Sequence, residues 1–300
     1  LNEQESSRRF ISSMVDETTF RELYAYPFEK IIKKANPLTV MASYNRINDV
    51  YACENKDLLT TLLRDEWGYE GLAISDWGGV QHKKESILAG LDIEMPESEF
   101  VQPFIDDVVS GVYPIEVIDQ AVWRILKAYQ WMLDNPNHGK KTDFEENHGV
   151  AQAVANEGIV LLKNDHNVLP LKKEETVLIL GDYAVSPKTT GGGSAELLAY
   201  KTESPLDFIK PYGDVHYFDL QNDGQLPIDA LKSADKVVIF TGTTTAIEHE
   251  GDDRTSLSLP EEQLHLIDSV LSYNKNVIVV NNSGYSINFQ PLIQLISAFV

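Results

Sequence analysis

The stretch that most constrains the fold is residues 71–79, which read GLAISDWGG. Residues 72–75 form a short run of mainly apolar side chains, which is typical of a strand buried on both faces of a parallel sheet. This strand runs directly into Asp76, Trp77 and two glycines. A carboxylate at the end of a buried strand costs free energy unless it has a partner or a function. In α/β barrels the catalytic groups lie at these strand ends.

Asp76 is therefore our first candidate for a catalytic residue. The indole of Trp77 offers a broad apolar face next to it, on which a sugar ring could stack. The alternative is that Asp76 caps a helix that follows, because aspartate is among the preferred N-cap residues. The local pattern leaves both interpretations open.

Length and charge limit the class of protein. A chain of 300 residues is more than one hydrophobic core usually serves, which predicts two domains. The net charge of −21 disfavours nucleic acid and anionic membrane surfaces as partners. Cys53 is the single cysteine, so no internal disulfide can form, which fits a reducing, cytoplasmic location. The start at Leu1 and the apolar ending predict an internal piece of a longer protein.

The first 134 residues alternate between strand and helix patterns. We expect strands at 38–43 and 72–75, a further strand at 91–95, and helices at 17–35, 55–66, around 87–88 and at 114–134. Asp16 should cap the first helix, and Pro27 should kink or split it. The alternation predicts parallel βα units. Because a complete (β/α)8 barrel takes about 250 residues, residues 1–134 are interpreted as the C-terminal part of such a barrel, or as a smaller open sheet.

Residues 135–148 are polar and contain proline and glycine, which predicts an inter-domain linker. Beyond it we expect a helix to about residue 156, an apolar run at 159–162 and strands at 177–180, 237–240 and 277–280. Helices are expected near 205–210, 226–233 and 260–273. This pattern predicts a second α/β domain, an incomplete α/β sandwich over residues 149–300.

The loop after the 237–240 strand holds four acids, one histidine and one arginine within residues 248–254. Ligands bind at strand carboxyl ends in open α/β sheets. Two carboxylates on loops of two domains could cleave a glycosidic bond, one as nucleophile or base and the other as acid. The loop could equally be a solvated acidic segment in which Arg254 pairs with Asp252 or Asp253. A metal site is disfavoured, because the spacing matches no EF-hand pattern.

Residues 191–194 read GGGS and follow the 177–180 strand. A glycine-rich turn could cradle a phosphate, but the GxGxxG spacing and the P-loop lysine are both absent. We therefore expect a flexible loop at the domain junction.

Several motifs together resemble glycoside hydrolase family 3, and specifically its β-glucosidases. In chain order they are NEQESSR at 2–8, VMASYNR at 40–46, LLRDEWGY at 62–69, SDWG at 75–78, AGLDIEMP at 89–96, VLLKN at 160–164, LPL at 169–171 and EGDDRTSL at 250–257. The resemblance covers nearly the whole chain and implies a TIM-like (β/α)8 barrel followed by an α/β sandwich. It also implies a Lys-His pair ahead of Leu1.

Carried over onto these motifs, the resemblance implies Asp76 as nucleophile and Glu250 as acid/base. Glu248 is the alternative acid, although adjacency to Gly251 favours Glu250. The residues implied to line the pocket of the non-reducing-end sugar are Arg8, Met41, Tyr44 and Trp77.

The implied activity is that of a retaining, exo-acting β-glucosidase on β-glucosides or short β-glucan oligosaccharides, with no cofactor and no metal. A homo-oligomer is left open. β-Xylosidases and other members of the family are the close alternative, and Trp77 favours a glucosidase. A non-catalytic sugar-binding fragment is the alternative from another class of protein.

Overall fold

The structure is a computed structural model that describes residues 1–96, 101–136 and 141–300. The chain divides into two compact units, Leu1–Lys140 and Lys141–Val300. Each unit combines helices with a largely parallel sheet, so the chain is of the α/β class. Within the predicted linker, residues 137–140 lie outside the described residues, and residues from Phe144 onward already belong to a helix.

The strands of the first unit are β1 (Ser12–Ser13), β2 (Thr39–Ala42), β3 (Arg46–Ile47), β4 (Val50–Tyr51) and β5 (Leu72–Ser75). Its helices span Glu17–Thr19, Phe20–Ala25, Tyr26–Ala35, Ala52–Glu54, Asp57–Glu66, Lys83–Ala89, Val101–Val109 and Ile115–Asp134. The helix Val101–Val109 and the small β1-β3-β4 sheet are not among the elements expected from the sequence.

Strands β2 and β5 pair in parallel, with Met41 opposite Ile74 and Ala42 opposite Ser75. The expected strand at 91–95 is reduced to one isolated bridge between Ile74 and Ile93. The run is too short and too polar to extend a ladder, because Asp92 and Glu94 alternate with its apolar residues.

The first helical segment runs from residue 17 to residue 35. As expected, the Asp16 side chain caps its start by accepting a hydrogen bond from the Thr19 N–H at 3.0 Å. The segment changes its helix type next to Pro27, which agrees with the expected split. A π-helical stretch, Phe20–Ala25, ends there, and Pro27 falls in the first turn of the α-helix Tyr26–Ala35. Proline is tolerated there because the N–H it lacks has no helical partner at that position.

The core of the first unit contains a buried ion cluster around Asp92. The Asp92 side chain is fully buried and accepts hydrogen bonds from Arg64 and Arg124, each at 2.8 Å. It also accepts one from the backbone N–H of Ala73 in β5, at 2.8 Å. The cluster therefore ties the helices Asp57–Glu66 and Ile115–Asp134 to the strand that leads to Asp76.

The strands of the second unit are β6 (Lys163–Asn164), β7 (Thr176–Leu180), β8 (Asp214–Tyr217), β9 (Lys236–Gly242), β10 (Val277–Asn282) and β11 (Ala298–Phe299). Its helices span Phe144–Gly158, Asp165–Asn167, Asp182–Ala184, Gly193–Ala195, Pro205–Ile209, Lys210–Tyr212, Leu220–Asp223, Ile228–Ser233, Glu261–Leu271 and Gln290–Ile293. The sheet order is β6-β11-β10-β9-β7-β8, and its pairs are parallel except β6 with β11.

Both faces of this sheet are buried. Alternate residues of the central strands enter two separate apolar clusters, one with Val237 and Ile239 and the other with Val238 and Phe240. The helices Ile228–Ser233 and Glu261–Leu271 contribute to the first cluster, and Pro205–Ile209 contributes to the second. A parallel sheet covered on both faces explains why its strands are almost uninterrupted apolar runs.

The three strands expected in this unit are found as β7, β9 and β10, each one to three residues longer than expected. Residues 159–162 are exposed and form no helix or strand, despite their apolar sequence. Strand β8 was missed because its residues alternate between polar and apolar over four positions only.

Among the described residues, none of the helices combines the length and the apolar character that crossing a bilayer requires.

We predict that Asp92→Asn destabilises the protein by about 3–5 kcal/mol, because the change leaves the guanidinium groups of Arg64 and Arg124, whose side chains are only 9% and 19% exposed, without their carboxylate. Glu70→Gln is the matched control, since Glu70 forms an exposed ion pair with Lys127 and should cost less than about 1 kcal/mol. Denaturant unfolding of the two variants measures both effects. Equal stability of the variants would contradict the structural role of Asp92.

Candidate active site

Asp76 directly follows the carboxyl end of β5 and begins a tight turn. Its backbone N–H donates to the Ala42 carbonyl at 2.7 Å, and its own carbonyl accepts from Gly79 N–H at 2.9 Å. The side chain is half-buried, and Oδ1 accepts a hydrogen bond from the backbone N–H of Trp77 at 2.6 Å. The backbone on both sides therefore fixes the direction in which this carboxylate points.

The helix-cap interpretation of Asp76 is wrong. The next helix, Lys83–Ala89, begins seven residues further along the chain and has His82 as its N-cap residue. The carboxylate of Asp76 is thus not used to satisfy the N–H groups of a helix terminus.

The two glycines after Trp77 serve different purposes. Gly78 has a φ of +74°, a left-handed conformation that glycine adopts without steric cost. Gly79 lies against Cys53, so that an added Cβ would stand 3.2 Å from Sγ and 3.2 Å from the Asp76 carbonyl oxygen. Burial raises the pKa of the Cys53 thiol to about 12, and the nearby carboxylates of Glu54 and Asp76 add to the shift.

Arg8 and Tyr44 are brought together, as the implied pocket requires. The Arg8 guanidinium lies 4.9 Å from the centroid of the buried Tyr44 ring, within cation–π range. Arg8 also forms an ion pair with Glu5 at 2.8 Å.

Arg9 is a neighbour of this site that the sequence reasoning missed. Its guanidinium lies 5.3 Å from the Tyr44 ring centroid, and a Cβ on Gly78 would stand 3.7 Å from its Nη1. Arg9 therefore reaches both the aromatic ring and the turn after Asp76. No spacing distinguishes it from Arg8 in the sequence, so only its contacts identify it.

Met41 and Trp77 present apolar surface to solvent, each with 58% of its area exposed. Met41 pairs in register with Ile74, two residues before Asp76, and Trp77 directly follows Asp76. Large apolar side chains at this exposure next to a carboxylate fit a surface that a sugar ring covers.

In the second unit, Glu248 is the centre of an ion cluster. Its side chain is 13% exposed and accepts from Gly284 N–H at 2.8 Å, from Lys188 Nζ at 3.4 Å and from Arg254 Nη1 at 3.4 Å. Burial alone would raise its pKa, but hydrogen bonding and the positive charge of Lys188 lower the pKa overall. Glu248 is therefore held in its ionised form.

This loop contains two ion pairs that the solvated-loop alternative does not include. Arg254 pairs with Glu248, and Asp252 pairs with His249 at 3.0 Å. The loop is thus organised around a partly buried carboxylate rather than around exposed acids.

Glu250 is half-buried and contacts the glycine loop, residues 191–194. Its Oε2 accepts a hydrogen bond from the backbone N–H of Ser194 at 2.5 Å. The next residue, Gly251, has a φ of +101°, which explains a glycine at this position. The glycine loop, which was expected to be flexible, has a contact with Glu250 in the structure.

Models of two consecutive domains match this chain. The glycosyl hydrolase family 3 N-terminal domain matches residues 4–128, and the glycosyl hydrolase family 3 C-terminal domain matches residues 159–300. The chain belongs to glycosyl hydrolase family 3. The resemblance inferred from the sequence motifs is confirmed.

Two relatives of this chain are named for different activities. Thermostable beta-glucosidase B of Acetivibrio thermocellus is 37% identical over 298 residues, which cover 94% of this chain and 40% of that protein. An exo-α-(1→6)-L-arabinopyranosidase of Bifidobacterium breve is 36% identical, covering 97% of this chain and 41% of that protein. The chain thus spans about two fifths of these relatives.

Among solved structures, a family 3 β-glucosidase of Bifidobacterium adolescentis aligns with a TM-score of 0.91 and 32% identity. The alignment covers 100% of this chain and 46% of that structure.

We predict that the Cys53 thiol does not react with a thiol reagent at pH 8 in the folded protein. Its pKa of about 12 leaves almost no thiolate at that pH, and the side chain is buried. Peptide mapping by mass spectrometry should find Cys53 labelled only after unfolding. Rapid labelling under native conditions would show that the turn after Asp76 opens readily.

Proposed function

We propose that this chain carries both catalytic carboxylates of a retaining, exo-acting β-glucosidase. The proposal rests above all on the position of Asp76, at the carboxyl end of a parallel strand and beside the exposed indole of Trp77. Residues 1–134 are the C-terminal part of a (β/α)8 barrel in this proposal. Residues 135–148 link it to an α/β sandwich, residues 149–300, which is incomplete in this chain.

The reaction takes place in two displacements. Asp76 attacks the anomeric carbon of the terminal glucosyl residue, and Glu250 donates a proton to the departing glycosidic oxygen. Glu250, now ionised, takes a proton from water, which attacks the same carbon and releases Asp76. Two inversions give net retention, and the mechanism requires carboxyl groups about 5–5.5 Å apart.

The sugar at the non-reducing end is bound by the residues around Asp76. Trp77 and Met41 supply exposed apolar surface, and the Arg8 guanidinium supplies hydrogen-bond donors for hydroxyl groups. Tyr44 is buried under Arg8 and holds that guanidinium in place.

We assign the general acid to Glu250, as the family resemblance implies, because Glu248 is held in its ionised form. A general acid has to be protonated when the substrate binds. Glu248 is ionised by Lys188 and Arg254 and fixed by the N–H of Gly284, so its proton affinity is low. We therefore assign Glu248 to the support of the loop.

We predict that hydrolysis of 4-nitrophenyl β-glucoside by the full-length protein first releases the β-anomer of glucose, which proton NMR detects before mutarotation. Asp76→Asn should lower kcat by at least about a thousandfold, because the nucleophile is lost. Release of the α-anomer, or full activity of Asp76→Asn, would contradict the assignment. Glucose binding by calorimetry without turnover would instead favour the sugar-binding alternative.

We predict that Glu250→Gln lowers kcat/KM on a phenyl β-glucoside by about 10²–10⁴-fold. Its first step on a 2,4-dinitrophenyl glucoside should change little, because that leaving group needs no proton. Glu248→Gln is the matched comparison and should lower kcat/KM on the phenyl β-glucoside by less than Glu250→Gln does, because it removes a support of the loop and not the acid itself. A selective loss in Glu248→Gln, with none in Glu250→Gln, would exchange the two roles.

The second candidate function is hydrolysis of a glycoside whose terminal sugar is not glucose. One relative is named an exo-α-(1→6)-L-arabinopyranosidase, and this name favours a pentose as that sugar. The full-length protein should hydrolyse 4-nitrophenyl β-glucoside faster than the β-xyloside and the α-L-arabinopyranoside. The reverse order would move the assignment to another member of the family.

A further inference from the structure

The glycine loop, residues 191–194, packs directly on Glu250. A Cβ added at Gly193 would stand 2.5 Å from Oε2 and 2.6 Å from Cβ of Glu250. Carbon atoms in proteins do not approach this closely, and the Cβ of Glu250 cannot move without its backbone. Any side chain at position 193 therefore has to displace Glu250.

The next residue of the loop holds the same carboxylate. Ser194 N–H donates to Glu250 Oε2 at 2.5 Å. The loop thus acts on Glu250 in two ways, by the space that Gly193 leaves and by the hydrogen bond that Ser194 donates.

The neighbouring backbone does little to fix the position of the Glu250 side chain. Gly251, its neighbour, has a φ of +101° and no side chain to restrict the local backbone. A glutamate also has several rotatable bonds, so contacts from another loop are needed to select one position of its carboxyl group.

We propose that Gly193 and the N–H of Ser194 are positioning elements for the general acid/base. This inference rests on the proposed function of Glu250. A general acid has to lie within about 2.6–3.2 Å of the oxygen it protonates. A displacement of about 1 Å can cost about a hundredfold in rate. The glycine loop keeps Glu250 within this narrow range, and this explains the GGGS sequence without a phosphate.

Gly192 offers a matched control within the same loop. Both glycines have a positive φ, +74° at Gly192 and +58° at Gly193. Gly192 also has a ψ of 179°, a combination that only glycine adopts readily. A Cβ at Gly192 would meet Thr245 at 3.8 Å and His249 at 3.9 Å, which are ordinary contacts. Both substitutions therefore strain the backbone, and of the two only Gly193→Ala crowds Glu250.

The experiment compares these variants in the full-length protein on two substrates. Gly193→Ala should lower kcat/KM on a phenyl β-glucoside by about a hundredfold, the cost of a misplaced acid. On a 2,4-dinitrophenyl glucoside, kcat/KM should fall by less than about threefold, because no proton donor is needed. Gly192→Ala should leave the ratio between the two substrates unchanged.

A second measurement does not depend on the folding of Gly193→Ala. Hydrogen–deuterium exchange at single-residue resolution should be faster at the Ser194 amide in Glu250→Ala than in the wild type. The Gly192 amide, which donates to the Thr190 hydroxyl, should exchange at an unchanged rate.

Two results would overturn the inference. One is an equal substrate ratio in Gly193→Ala and Gly192→Ala, and the other is an unchanged exchange rate at Ser194 in Glu250→Ala. Wild-type activity of Glu250→Gln on the phenyl glucoside would instead remove the proposed function, so the two failures can be told apart.

Discussion

The buried carboxylate of Asp92 fixes the strand on which the first candidate residue depends. It accepts hydrogen bonds from Arg64, Arg124 and the Ala73 N–H, and so it joins two helices to β5. Removing one partner of a buried ion pair is strongly destabilising, because it leaves a buried charge uncompensated. Asp76 follows Ala73 by three residues, so the direction of its carboxylate depends on this cluster through the position of β5.

In the second unit, the residues around Glu248 are brought together by the order of the strands. Strands β7, β9 and β10 are neighbours and parallel, so the loops that follow them emerge at the same edge of the sheet. Lys188, Glu248 and Gly284 each lie in one of these loops, and they meet through the Glu248 carboxylate. The topology thus brings together residues that are up to 96 positions apart in the sequence.

The sequence predicted well those elements that are long and uniformly apolar. Strand β5 has the expected bounds, and β7, β9 and β10 lie where their apolar runs are. Two-residue strands such as β6 and β11 leave little periodic signal. Pro27 lies where a π-helical stretch changes to an α-helix, but propensity alone does not predict the π-helical stretch itself.

The candidate site was predictable in its residue types but not in its contacts. The acidic loop was recognised from its charges, yet the sequence favoured Glu250 over Glu248 only through its adjacency to Gly251, since both lie in the same run. The distinction comes from Lys188 and Ser194, which lie in a loop about sixty residues earlier in the chain. Arg9 was missed for the same reason, because its contacts with Tyr44 and Gly78 depend on the fold.

The most direct test of the central claim is to trap the covalent intermediate. The full-length protein would be incubated with 2-deoxy-2-fluoro-β-glucosyl fluoride, digested and analysed by mass spectrometry for the modified peptide. The account predicts a fluoroglucosyl group on Asp76 and loss of activity in step with labelling. A label on Glu94 or on another carboxylate, or inactivation without any label on the peptide that contains Asp76, would contradict it.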